Sequence, residues 1–242
     1  YRGTTVPVIG GASMAMALVV AHLSAYALGT EAARTEVGLG ISILALGFFF
    51  LGLVDDFTVH AGPKGFRGHL LALTKGRVTT GLMKAAGGFS LSFAVAWYWR
   101  GQPAVALLDA VVIALAANLI NLLDLRPGRA VKAYLAGWTA VAAAGWGAPF
   151  VTISAAVTGA AAGWLPSDLW ERGVLGDSGS NLLGAVLGAA AVLALDIGGR
   201  SVVALGLVVL TLLSERFSFT AAIDAAPPLR WLDRLGRQPD PQ

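Results

Sequence analysis

The 242-residue chain is 56% apolar and only 13% charged, about half the roughly 25% charged share of a soluble domain. That composition excludes an ordinary soluble fold, whose polar surface it could not supply. The absence of Cys excludes disulfides, thiol catalysis and Cys-type zinc sites, and His22, His60 and His69 are too scattered to suggest a zinc centre. The net charge of +3 matters less than where its charges lie.

The opening run Tyr1–Pro7 reads as a loop entering a helix, without an initiating Met or a signal-peptide pattern; a further span is expected ahead of it. A bilayer core takes about 20 apolar residues in a helix. Eight stretches approach this, near 7–29, 37–54, 81–99, 104–123, 130–145, 148–165, 180–196 and 199–214. Gly147-Ala148-Pro149 marks a tight turn between the fifth and sixth. No series of short alternating strands appears, so a barrel is not expected. The predicted fold is an all-α polytopic transmembrane helical bundle of about eight spans over 1–213. The remaining 214–242 form an amphipathic tail, in which Phe217, Phe219, Leu229, Trp231, Leu232 and Leu235 alternate with Arg and Asp. Such a tail is expected along the cytoplasmic interface.

Crossing the membrane at each span sorts the basic residues. Fourteen of the 17 Lys and Arg fall on one face, and only Arg34, Arg100 and Arg200 on the other. The positive-inside rule makes the richer face cytoplasmic.

Three polar groups lie at that same face. Asp55-Asp56 closes the second span; adjacent carboxylates repel unless a cation or Lys relieves them, or they simply mark a solvated helix end. Asn118, Asn121 and Asp124 recur at i, i+3 and i+6 in the last turns of the fourth span, so they share one helical face. They suit a metal or phosphate, and equally an interhelical hydrogen-bond ladder. Gly176-Asp177-Ser178-Gly179-Ser180-Asn181 leads into the seventh span. Asp177 could ligate a metal while Ser178, Ser180 and the helix N–H groups hold a phosphate, or the run could be an ordinary N-cap. The basic stretch 60–84 flanks all three.

Carboxylate and amide oxygens suit Mg²⁺, which commonly takes one or two carboxylates plus substrate phosphates. Cations suit phosphate, and an apolar bundle suits a lipid tail. Together they point to phosphoryl transfer at a membrane surface. A transporter would more naturally place its ionisable groups near the midplane, and no internal repeat is evident.

At these residues the chain resembles the polyprenyl-phosphate sugar-1-phosphate transferases, the MraY/WecA-like superfamily (glycosyl transferase family 4). The likeness runs in order through Arg2-Gly3-Thr4-Thr5-Val6-Pro7-Val8-Ile9-Gly10-Gly11, Asp55-Asp56, Asn118-x-x-Asn121-x-x-Asp124 and Gly176-Asp177-Ser178-Gly179-Ser180. It implies transfer of a sugar phosphate from a UDP-linked amino sugar to undecaprenyl phosphate, with release of UMP. It also implies Mg²⁺ at a cytoplasmic site of the plasma membrane, a role in cell-wall or envelope glycan (peptidoglycan-type) synthesis, homodimers, and no nucleic-acid partner. By motif, Asp177 and Asp55 would be metal ligands, and Asp55 or Asp56 the base toward the lipid phosphate. Asn118, Asn121 and Asp124 would line the nucleotide-diphosphate side, and Gly176, Ser178 and Ser180 would shape the phosphate pocket.

The chain departs from the pattern in three places. Phe57-Thr58-Val59-His60 lacks the family's Lys after the paired aspartates, so Lys64, Arg67 or Lys75 is expected to supply the cation. Leu125-Arg126-Pro127-Gly128-Arg129 brings two cations where an acid is expected, and no His follows His69. This is the pattern of a divergent member with an altered donor half. A polyprenyl-phosphate binder without transferase activity is the alternative reading.

Overall fold

The computed structural model describes residues 6–58, 74, 76 and 79–238, apart from the side chain of Glu31. Lys64, Arg67, Lys75, His60 and His69 lie outside the described residues, as do residues 2–5 of the run that opens the resemblance. Among the described residues the fold is helical without strands. In chain order the helices are α1 Gly10–Ala27, α2 Glu31–Arg34, α3 Glu36–Phe57, α4 Thr80–Arg100, α5 Pro103–Leu123 and α6 Arg129–Ala144. There follow α7 Pro149–Leu169, α8 Gly176–Ala194, α9 Ile197–Ser214, α10 Phe219–Ala225 and α11 Pro227–Arg234.

Each of the eight expected spans is one helix, and its ends follow from local chemistry. Thr35 and Thr79 accept the Gly38 and Leu82 N–H groups at the starts of α3 and α4, and Asp196 accepts the Gly199 N–H at the start of α9, each satisfying an orphan donor. Pro103 and Pro149 stand at first helical positions, where the missing N–H costs nothing. Six helices, namely α1, α3, α5, α7, α8 and α9, are long and apolar enough to cross a membrane. The other two fall short of that measure. α6 has 16 residues, a rise of about 24 Å, and α4 carries Lys84 and Arg100.

Helix α8 is the centre of the bundle. It packs against α1, α3, α5, α6 and α7 and is buried on nearly every face. Its glycines set the register on antiparallel α5. A Cβ at Gly188 would stand 2.7 Å from the Ile113 Cα, and one at Gly184 would strike the Ala117 backbone. Small residues four apart let two helices touch backbone to backbone where lipid offers no competing hydrophobic drive. Continuing that register one turn brings Ser180 opposite Asn121, and one turn further Asp177 opposite Asp124. Gly52 does the same for α3, since a Cβ there would collide with the Asp177 carbonyl. The outer flank is formed by α9, whose Val202, Leu205 and Leu212 are exposed, as lipid-facing positions would be.

The tail does not trail away from the bundle. Helices α10 and α11 fold back onto the start of α6. Asp233 is buried there and accepts from Arg129 at 2.6 Å and 3.2 Å, and from Arg237 at 3.1 Å. Lys132 donates to the carbonyls of Leu232, Asp233 and Leu235, closing the end of α11 where the helix dipole favours a cation. Burial alone would raise the Asp233 carboxyl, but Arg129, Arg237 and Lys132 outweigh it and hold it below the ordinary range. The apolar Leu229, Trp231, Leu232 and Leu235 point outward and are exposed.

Candidate active site

The ends of α3, α4, α5 and α8 at the face richer in Lys and Arg meet in one cluster. Lys84, in the second turn of α4, places its Nζ 2.8 Å from Asp55 Oδ2 and 2.6 Å from Asp177 Oδ2. On the other side of Asp177, Asn121 Nδ2 donates to Oδ1 at 2.9 Å and to Ser180 Oγ at 2.9 Å. Ser180 in turn donates to the Gly176 carbonyl at 3.0 Å, and Asn181 Nδ2 to the Asp177 carbonyl at 2.6 Å. The three distant segments therefore converge as the sequence predicts. The side chain of Asp55 is 8% exposed and that of Asp177 33%, so the cluster opens on the Asp177 side.

The paired aspartates divide their work. Asp56 accepts the backbone N–H groups of Asp177 at 2.8 Å and of Ser178 at 3.0 Å. It caps α8 from another helix, and neither Asp177 nor a Ser acts as that helix's own N-cap. Gly176 makes this possible with a left-handed φ of 74°, a conformation glycine adopts at no steric cost. The expectation that these N–H groups and the Ser180 hydroxyl hold a phosphate is corrected accordingly. A tethered carboxylate already fills the positive helix end, and Ser180 is spent on Asn121 and Gly176. Ser178 is buried against α1 near Gly11.

Two further residues depart from expectation. Asn118 donates to Thr211 Oγ1 of α9 at 3.4 Å, a strut between helices one turn from the cluster. Asp124, at the end of α5, has no hydrogen-bond donor or cation on its carboxylate among the described residues. Burial, followed by the charges of Asp168, Asp177 and Asp56, pushes its carboxyl well above the usual range. Of the two cations after it, Arg126 reaches Asp224 at 3.7 Å and Arg129 is committed to Asp233. Asp168, from α7, accepts the Gly128 N–H at 3.0 Å and pins that turn.

Lys84 and Asp168 are absent from the site expected from sequence. For Lys84 the signal was a single cation set inside an apolar helix at the acid-rich face, the kind of residue membranes rarely tolerate without a purpose. Asp168 follows a Pro near a helix end and carries no such mark.

The geometry bears on a metal. Among the described residues no three of His, Asp or Glu stand close enough to form a cage. Asp55 and Asp177 nevertheless converge on one cation position, filled by the Lys84 ammonium. That donor set fits Mg²⁺, which keeps waters and phosphate oxygens and asks the protein for one or two carboxylates. Compared with known proteins, the chain matches no protein-family profile and no curated protein.

Proposed function

We propose that this cluster is the active site of a membrane phosphoglycosyl transferase, which moves a sugar-1-phosphate from a UDP-amino sugar to a polyprenyl phosphate at the cytoplasmic face. The observation that carries the reading is the convergence of Asp55 and Asp177 on one cation position at the end of an apolar bundle. A soluble donor and a membrane-bound acceptor can meet only at such a boundary. In the reaction a phosphate oxygen of the lipid attacks the sugar-bearing phosphorus of the donor, the bond to the UMP oxygen breaks, and UMP leaves.

Each residue has a part in this. Asp55, held by Lys84 beside Asp177, is the base toward the acceptor phosphate, because both Asp56 oxygens are engaged by the α8 backbone. Asp56 is a positioning residue that fixes Asp177 through its N–H. Asn121 holds Asp177 Oδ1 and so orients Oδ2 toward the shared cation position. Lys84 offsets the negative charge that two carboxylates and a phosphate would otherwise accumulate. Mg²⁺, held by Asp177 and Asp55, would neutralise charge on the transferring phosphate.

The second reading, a polyprenyl-phosphate binder without transfer, is favoured by one observation. Arg126 and Arg129, the cations following Asp124, turn to the tail rather than to the site, so the donor side is built differently from the family pattern. Purified protein incubated with Mg²⁺, undecaprenyl phosphate and a panel of UDP-sugars separates the two. UMP release by the wild type but not by Asp177→Ala supports the transferase. Lipid binding with no UMP from any donor overturns it in favour of the binder.

A further inference from the structure

At the opposite end of the bundle lies a second charged cluster. Asp109 of α5 is fully buried, and two guanidinium groups converge on it. Arg100 Nε donates to Oδ2 at 2.8 Å and Arg200 Nη1 to Oδ1 at 3.3 Å. Arg100 Nη2 also donates to the Val192 carbonyl at 2.7 Å, and Arg200 Nε to the Leu195 carbonyl at 2.8 Å. Two cations share one buried carboxylate, and Asp196, which caps α9 one turn before Arg200, stands at the same end of the bundle. Arg100 Nη1 and Arg200 Nη2 each remain without a partner among the described residues.

Directly below this cluster is an apolar groove of about 200 Å³, lined by α5, α6, α8 and α9. Val112 and Val203 line it one turn from Asp109 and Arg200, and Leu195, whose carbonyl binds Arg200, lines it too. Leu119 and Leu207 lie toward the other end, next to the Asn118–Thr211 hydrogen bond. From Val112 to Leu119 the helix rises about 10 Å. Gly137 and Gly188 are among the lining residues. The slot contains no polar group that could hold water.

We propose that the groove holds one hydrocarbon chain of an anionic phospholipid whose phosphate rests on Arg100 and Arg200, at the membrane face opposite the Asp55–Asp177 site. One buried carboxylate shared between two guanidinium groups leaves each of them with hydrogen-bonding capacity that an anion at the mouth would take. The guanidinium fork, with an N–H left over on each Arg, matches phosphate oxygens. Head and chain positions are aligned along one helical face, so a single amphiphile satisfies both. The inference does not depend on the transfer reaction.

Native mass spectrometry of the delipidated protein with equimolar phosphatidylglycerol and phosphatidylcholine tests it. One phosphatidylglycerol retained per chain is expected, about tenfold in preference to phosphatidylcholine. Val141→Trp, which fills the groove from its rim, should lose the bound lipid. Arg200→Gln should keep a lipid but lose the preference, while Arg200→Lys retains it. Equal retention of the two lipids by the wild type, or no retained lipid, overturns the proposal, as does a folded Val141→Trp that binds like the wild type. The wild-type preference is decisive alone, so the test stands even where a variant fails to fold.

Discussion

Replacing Lys84 by Met removes the ammonium that joins α4 to both α3 and α8 while keeping an unbranched side chain one atom shorter. Asp55 and Asp177 then face each other across the vacated position, one nearly buried and the other a third exposed. Deleting one partner of a buried ion pair costs about 3–5 kcal/mol. Water reaches Asp177 and screens that half of the interaction, which brings the expected loss to about 2–3 kcal/mol. For a chain of this size 1 kcal/mol is ~2–4 °C, so the midpoint of thermal unfolding should fall by roughly 5–10 °C. Intrinsic fluorescence of the seven Trp residues reads it without added label. Adding Mg²⁺ distinguishes a cation position from a structural strut. At ten times its Kd the ion returns about 1.4 kcal/mol, so Lys84→Met should gain several degrees from Mg²⁺ and the wild type less. An unchanged midpoint in Lys84→Met, or an equal loss when Asp55→Asn and Asp177→Asn are already present, would refute the coupling of these three residues.

Two more outcomes follow from charge. Asp124 stands among acids with its carboxyl raised, so the native state holds that proton longer than the unfolded chain. Stability should therefore fall as pH rises from about 3.9, the ordinary Asp value, toward the native value. Asp124→Asn should flatten that slope and raise the neutral-pH midpoint by ~2–4 °C. Asp233 has the opposite sign, because its carboxyl is held low by Arg129, Arg237 and Lys132 once burial is outweighed. Tail docking is thus complete at neutral pH and is lost as pH drops below the ordinary carboxylate range through the native value. Asp233→Asn should expose Arg230 and Arg234 to trypsin several-fold faster at neutral pH, and unchanged cleavage would contradict the clamp.

The helices were legible because their cause is local. Apolar runs of span length, Thr caps and the Pro103 and Pro149 starts are all written in consecutive residues. The convergence of Asp55, Asn121 and Asp177 was legible one level up, since counting spans alone put them at one membrane face. What could not be read was the division of labour within the pair. Asp55 and Asp56 are neighbours in sequence and 100° apart on a helix, so one carboxylate turns to Lys84 and the other to the first N–H groups of α8. Which does which depends on the rotation of α3 against α8, fixed by the contact at Gly52, a long-range event.

The same argument explains Lys84. The resemblance places a cation in the residues just after Asp56, yet the ammonium arrives from the next helix, 29 positions after Asp55. Distance along the chain is a poor guide here, because α4 starts beside the end of α3. The relevant constraint is charge. Two carboxylates brought together by close helix packing in a poorly solvated cluster require a cation within hydrogen-bond reach, whichever element carries it. Among the described residues, only Lys84 combines the right face with a place inside an apolar helix that packs on α3. Its burial in that helix, costly on its own, is offset by the two acids it joins, so the acids and the lysine account for one another.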